Sequence, residues 1–395
     1  MPEFNLPNMR ALTPEITSKE RYDRRHKARE LMRANGIDAV LLPSGTSLRY
    51  FTGLNWHPSE RLVGAIMPSH DDEIIFISPA FEKATIETQI GADYEIRLWE
   101  EHENPYDVAN RILNRFNPKG GTLGIEEQTP YFITEGIREA CSDWTLISAT
   151  PVTAGCRMQK SESELAIMQT AKNTTLDIHK QTAAMLREGI TNHEVAYFID
   201  QANRAANADN GSTFCIVSFG EATAYPHGPS GEQILKDGDM VLIDTGCALY
   251  GYNSDITRSY VFGKPNNRQQ EVWNIEKEAQ QAAFDAAQLG EPCEAPDYAA
   301  RAVLEKYGFG PDYAVPGLPH RTGHGIGMDV HEWPYLVRGN KTPLAKGMCF
   351  SNEPMICIYG EFGIRLEDHF YMGDHGPKWF TQPSYSLKEP FKTLT

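Results

Sequence analysis

The feature that most constrains this chain is a carboxylate set at the end of an apolar strand. In the run Asp239-Met-Val-Leu-Ile-Asp-Thr-Gly246, side chains alternate between faces if the segment is extended, so Met240, Leu242 and Asp244 share one face. A buried, unpaired carboxylate opposes folding strongly, so Asp244 needs a partner. The chain turns through Gly246 to Gly251 and returns as Tyr252-Asn-Ser-Asp-Ile-Thr-Arg-Ser259. A hairpin there would set Asp244 and Asp255 side by side. Taken alone, the pair also fits one Asp satisfied by backbone amides and one Asp in solvent.

A second pair weighs toward a shared site. Glu353 follows the apolar stretch Met348 to Ser351, and Glu367 lies in Gly363-Ile-Arg-Leu-Glu-Asp368. A hairpin turning near Gly360, the midpoint of the two glutamates, would place them opposite each other. Between the two hairpins lies Gly323-His324-Gly-Ile-Gly327, a histidine flanked by residues that allow close backbone approach. Four converging carboxylates repel one another and destabilise the fold unless cations balance them. Two divalent ions would do so. Four carboxylates with one imidazole form an oxygen-rich set that suits Mn²⁺ and tolerates Zn²⁺, Co²⁺ or Fe²⁺. A Cys-type structural zinc site is excluded by the ligand types, and no EF-hand-like loop is present.

Composition narrows the partners. With 37 Lys plus Arg against 53 Asp plus Glu, the formal charge of −16 opposes binding to nucleic acid or an anionic membrane surface. The seven cysteines are scattered without a C-x-x-C spacing, and the basic residues near the start precede no apolar core of a secretory signal, so the expectation is a cytoplasmic protein without disulfides. About 150 residues at the start alternate helical and strand-like segments. A polar helix spans Glu20 to Asn35, with strands at 38–42, 48–51, 62–67 and 73–77 and helices at 108–116 and 131–140. Beyond a boundary near Pro151 to Lys160, capping boxes at Ser161/Glu164 and Thr191/Glu194 open two helices, the first closed by Gly189. Strand patterns begin at Phe214, helices follow at 271–288 and 296–307, and the chain is strand-rich from Gly347 to about Met372. The first half reads as α/β and the second as α+β.

With these motifs the sequence resembles the creatinase/methionine-aminopeptidase ("pita-bread") superfamily, and within it the Xaa-Pro dipeptidases (prolidases) and aminopeptidase P. The likeness includes Leu48-Arg-Tyr-Phe-Thr-Gly53 and Arg157-Met-Gln-Lys-Ser-Glu162 and covers nearly the whole chain. It implies an α/β creatinase-type N-terminal domain over 1–155 and an α+β pita-bread catalytic domain over 156–395. By the same resemblance, Asp244, Asp255, His324, Glu353 and Glu367 are metal ligands for two divalent ions, Mn²⁺ first among them. His227 and His331 match the family's non-ligand histidines, and Arg365 matches an arginine that hydrogen-bonds the ligating acids. His320 is expected as a structural neighbour and His369 outside the site.

The resemblance implies hydrolysis of a peptide with proline in second position. Glu353 would shuttle a proton, and His227 and His331 would hydrogen-bond the reacting carbonyl or the substrate carboxylate. Where some prolidases carry an arginine for the dipeptide carboxylate, this chain has Tyr335, with Arg338 nearby as its replacement or as a solvated charge. Trp56 and His57, in Leu54-Asn-Trp-His-Pro-Ser-Glu60, are candidates for substrate contact from a partner subunit of a homodimer. Dipeptidase, aminopeptidase on longer peptides, and a metal-dependent lyase or other hydrolase all remain open on this scaffold.

Overall fold

The structure, a computed structural model, describes residues 4–392, and its chain divides between Arg157 and Met158. Ile16–Arg157 forms one unit, whereas the described residues up to Glu15 cluster with Met158 onward. The first segment, expected in the N-terminal domain, thus belongs elsewhere. Its short helix α1 (Met9–Leu12) is tied down by the Met9 N–H, which donates to Ala206 O (3.1 Å), and by Thr13 against Thr170 (Oγ1···Oγ1 2.9 Å).

In the unit Ile16–Arg157, helix α2 (Ser18–Ala34) leads into β1 (Ala39–Pro43). There follow α3 (Thr46–Thr52), β2 (Gly64–Pro68), β3 (Ile75–Pro79), α4 (Lys83–Ile90) and β4 (Ile96–Trp99). The unit closes with α5 (Pro105–Phe116), β5 (Gly121–Ile125), α6 (Tyr131–Ala140), β6 (Trp144–Ser148) and α7 (Thr150–Arg157). The six strands form one mixed sheet in the order β4-β3-β2-β1-β5-β6. Val108 and Ile112 of α5 and Ile133 and Ile137 of α6 bury against it at helical spacing. The segment 48–51, expected as a strand, is helical. Gly45 (φ 142°) and Gly53 (φ 87°) bracket it, and the Gly53 N–H closes the last turn on Arg49 O at 2.8 Å. Arg24 and Arg25 of α2 donate to the carbonyls of Tyr50 and Phe51 at 3.1 and 2.7 Å, so two of the acceptors freed at this buried helix end are satisfied by side chains.

Besides α1, the second unit holds α8 (Glu162–Met185) and α9 (Asn192–Ala205), both opened by complete capping boxes at Ser161/Glu164 and Thr191/Glu194. Helix α8 stops earlier than expected, at Met185, with Leu186 already extended; Gly189 (φ 84°) instead turns the chain toward α9. Strands β7 (Ser212–Phe219), β8 (Met240–Leu249), β9 (Tyr252–Asn253) and β10 (Ile256–Val261) then build a sheet with β8 between β10 and β7. The two faces of β8 enter different cores. Val241 and Ile243 pack with Ile178, Val195 and Ile199 of α8 and α9. Met240 and Leu242 pack with α10 (Asn267–Ala286), α11 (Ala295–Lys306) and the apolar residues 355–364. Asp244 lies on this second face, as its spacing predicts.

The remaining strands are β11 (Gly323–Gly325), β12 (Glu332–Leu336), β13 (Cys349–Asn352), β14 (Met355–Ile358), β15 (Phe362–Arg365), β16 (Asp368–Gly373) and β17 (Gly376–Trp379). A five-stranded sheet runs β12-β11-β13-β16-β17, and β14 pairs with β15 alone. Among the described residues no helix is long and apolar enough to cross a membrane.

Candidate active site

Two hairpins deliver the acids. Asp244 in β8 lies opposite Thr257 in β10, and Asp255, two residues before Thr257, shares its face diagonally across the pair. Both aspartates are buried. In the other hairpin, Met355 pairs with Arg365 in β14–β15 and Asn352 with Asp368 in β13–β16, one continuous register turning at Gly360 (φ 84°). Ladder pairing is interrupted between these two stretches, and Glu353 and Glu367 sit opposite each other in the interruption. Their freed backbone N–H groups bond elsewhere, Glu353 to Thr322 O (2.9 Å) and Glu367 to Thr257 O (3.1 Å). The second contact ties one hairpin to the other.

His324 is the middle residue of β11. Its glycine neighbours are required by crowding: a Cβ on Gly323 would lie 2.1 Å from Ser351 O, and one on Gly325 2.4 Å from Glu332 O. The ring's Nδ1 faces Gly325 O at 3.0 Å, which assigns the proton of a neutral ring to that nitrogen. Nε2 then points its lone pair at Glu353 Oε1 (3.1 Å) and Asp255 Oδ2 (3.7 Å). That juxtaposition is repulsive until the ring takes a second proton or a cation sits among the three groups.

The carboxylates carry the same signature. Asp244 Oδ1, Asp255 Oδ1 and Glu367 Oε1 are buried without a hydrogen-bond partner. Burial, then Glu367 and Asp244, pushes the Asp255 carboxyl well above its usual range; burial, then Glu353 and Asp244, does the same for Glu367. Buried oxygens with unused lone pairs, clustered beside an imidazole lone pair, fit divalent cations. Three overlapping donor groups mark the spot: Asp255 with His324 and His331, His324 with Glu353 and Glu367, and Asp255 with Glu367 and His369.

Supporting residues fix the acids. Arg365 donates to Asp244 Oδ2 (2.5 Å), to Thr257 Oγ1 (3.0 Å) and to Pro226 O (2.9 Å), so one guanidinium holds a candidate ligand and the loop bearing His227. Thr257 in turn donates to Glu367 Oε2 at 2.7 Å. Ser351 accepts the His324 N–H (2.9 Å) and donates to Glu353 Oε1 (3.1 Å). Sequence reading missed Thr257 and Ser351. The signal for Thr257 was its place two residues after Asp255 on the same face. His369, expected outside the site, is fully buried with Nε2 3.7 Å from Glu367 Oε1.

These groups open onto a cavity of about 780 Å³. All its lining residues lie in the second unit, with Phe214, Ile216, Pro319 and Val330 forming apolar wall and His227, His320, Arg321 and His331 polar wall. His331 packs its ring against His324, centroids 4.0 Å apart, and partial desolvation in the cavity wall, followed by the neighbouring His324, pulls its pKa down to about 4. It is therefore a neutral donor or acceptor at physiological pH. The structure does not bring every candidate here. Arg338 is exposed and paired with Asp312, and it does not line the cavity. Tyr335, opposite His324 in the β11–β12 pair, lies beneath Arg321, whose Cζ is 4.1 Å from the ring centroid. Trp56 and His57, expected to act from a partner subunit, lie on the irregular segment after α3 in the unit Ile16–Arg157.

Residues 166–374 match the metallopeptidase family M24, and residues 24–159 match the creatinase/prolidase N-terminal domain. The chain belongs to metallopeptidase family M24. It is 30% identical to the Xaa-Pro dipeptidase of Pyrococcus furiosus over 92% of this chain and 99% of that protein. Among solved structures, dipeptidase PepE from Mycobacterium ulcerans superposes with a TM-score of 0.87 at 29% identity, covering 95% of this chain and 99% of that one. Prolidase from Thermococcus sibiricus gives 0.83 at 31%, covering 93% and 98%. The M24 catalytic domain has the pita-bread fold, as the motifs implied, and M24 membership makes the chain a metal-dependent hydrolase.

Proposed function

We propose that this M24 protein is an Xaa-Pro dipeptidase, hydrolysing the imide bond of dipeptides with proline in second position. The observation that carries the reading is the convergence of three buried carboxylates, the half-buried Glu353 and the His324 lone pair at the floor of a partly apolar cavity. Relatives whose names state Xaa-Pro dipeptidase support the substrate class.

Asp244, Asp255, His324, Glu353 and Glu367 would hold two divalent ions, with Mn²⁺ favoured by the oxygen-rich set. Such ions supply Lewis acidity and a water of lowered pKa. The chain's own residues do the rest. Glu353, less enclosed than the other acids at 13% side-chain exposure, faces the cavity and carries a proton from the attacking water to the imide nitrogen. That nitrogen has no N–H before cleavage and leaves only as it is protonated. His331 and His227 hydrogen-bond the carbonyl oxygen as charge develops, a contribution of about 2–4 kcal/mol each by analogy with other oxyanion donors. Phe214, Ile216, Pro319 and Val330 offer the apolar surface a pyrrolidine ring would bury against.

The test is hydrolysis of Ala-Pro and Ala-Pro-Ala by chelator-stripped protein reloaded with Mn²⁺. The expected result is Mn²⁺-dependent cleavage of Ala-Pro alone. Equal or faster cleavage of the tripeptide would make it an aminopeptidase, and no cleavage of either with two ions bound would sink the peptidase reading.

A further inference from the structure

A dipeptide differs from a longer peptide in bearing a free carboxylate on the residue after the scissile bond. An enzyme that prefers dipeptides needs a group in its cavity to recognise that charge. Two arginines line the cavity. Arg365 is fully engaged by Asp244, Thr257 and the Pro226 carbonyl. Arg321 is not. Among the described residues no carboxylate oxygen lies within 4.0 Å of its guanidinium, and its N–H groups donate to no protein acceptor.

What holds Arg321 is an aromatic ring rather than an acid. Its guanidinium lies over the Tyr335 ring, 4.1 Å from the centroid. A cation–π contact of this kind uses none of the N–H donors as hydrogen bonds to oxygen, so the fork that matches a carboxylate is left available. Its backbone is anchored as well: the Arg321 carbonyl meets His320 Nδ1 at 2.7 Å, and Thr322 bonds the buried Asp297 through both N–H (3.1 Å) and Oγ1 (2.7 Å). Arg338, the sequence's candidate for this task, is taken by Asp312 outside the cavity.

We propose that Arg321, propped on Tyr335, binds the C-terminal carboxylate of the substrate and sets the preference for dipeptides. The proposal rests on the dipeptidase reading above. It explains how a tyrosine stands where some prolidases carry an arginine: the cation comes from the strand-entry segment and the tyrosine is its platform.

The experiment compares Mn²⁺-loaded wild type with Arg321→Met on Ala-Pro and on Ala-prolinamide, together with calorimetric binding of L-proline and L-prolinamide. Arg321→Met should raise KM for Ala-Pro by about 10- to 100-fold, the usual loss of a charge-assisted hydrogen bond. It should leave kcat and manganese content near wild type and abolish the preference for acid over amide. Arg321→Lys should restore part of that preference as a point charge. Unchanged KM for Ala-Pro, an equal loss on acid and amide, or a shift produced by Arg338→Met instead would overturn the proposal. The binding arm separates the two readings. Wild type that prefers proline to prolinamide through Arg321, yet cleaves no dipeptide, would sink the dipeptidase reading and overturn the part of this proposal that concerns dipeptide preference, leaving Arg321 as a carboxylate-binding residue only.

Discussion

Asp255 is buried with one oxygen unpartnered and with Glu367 and Asp244 raising its proton affinity, so without cations its charge works against the fold. Asp255→Asn should therefore separate stability from metal binding. Stripped of metal, the variant is expected to melt at or above the temperature of stripped wild type. Wild type should gain stability on Mn²⁺ addition, because ligands that bind only the folded state stabilise it, and the variant should gain little. Full activity with two ions in Asp255→Asn would remove Asp255 from the ligand set. Arg365→Met leaves Asp244 Oδ2 and Thr257 Oγ1 without their donor, and losses of such supporting contacts lower metal affinity about 10- to 100-fold. Competition with a chelator would read that shift, and an unchanged affinity would make Arg365 a packing residue. The acids were legible in the sequence because carboxylates at the ends of apolar runs are out of place there. Thr257 and Ser351 were not, since a hydroxyl residue in a strand is ordinary until its partners are known. Nothing in the sequence marked Arg321; its place over the Tyr335 ring in the cavity wall sets it apart.

Among the elements, α8 braces the candidate centre from behind. Its Lys172 donates to Asn253 O (3.1 Å) and its Thr175 meets Ser254 (Oγ1···Oγ 2.6 Å), both in the segment that carries Asp255. The capping box at its start was read from Ser161 and Glu164 alone, because two side chains at that spacing satisfy the first N–H groups wherever the helix later packs. Ser161→Ala should cost about 1 kcal/mol and lower Tm by roughly 2–4 °C, readable by calorimetry. A loss of metal affinity without loss of Tm would place the effect elsewhere. Segment 48–51 departs from the expected strand because so short a run, buried at Leu48, Tyr50 and Phe51 with Arg49 between, has no period long enough to betray its conformation. The arginines that receive its carbonyls lie more than twenty positions earlier, on α2. The continuous register of β13–β16 and β14–β15 was found by halving the interval between two glutamates. Nothing in the interval showed that pairing would lapse at those glutamates.

For the molecule as a whole, acid sensitivity has an identifiable contributor. His179 is buried against Ile256 O (2.9 Å), and burial, followed by the Arg258 charge, pulls its pKa from 6.5 to about 3. Above about pH 6.5 the ring is neutral in both folded and unfolded chains. Below that the unfolded chain binds a proton that the folded one refuses, so stability falls as pH drops toward 3, by about 2 kcal/mol at pH 5. In His179→Gln the slope of stability between pH 6.5 and 5 should flatten, and an unchanged slope in urea titrations would discount the group. The return of the first segment to the second unit was not legible, since contacts such as Met9 with Ala206 join positions with no shared local pattern. The turn at Tyr359 to Glu361 is exposed, the kind of loop tip where chains ordinarily tolerate insertion. Here it works as the hinge of a caliper. Its jaws are Glu353 and Glu367, and their facing is counted out residue by residue from Gly360. One residue added at this tip would slide one arm along the other and turn a jaw away, so the chain's tolerance for length change should vanish at a spot that looks dispensable.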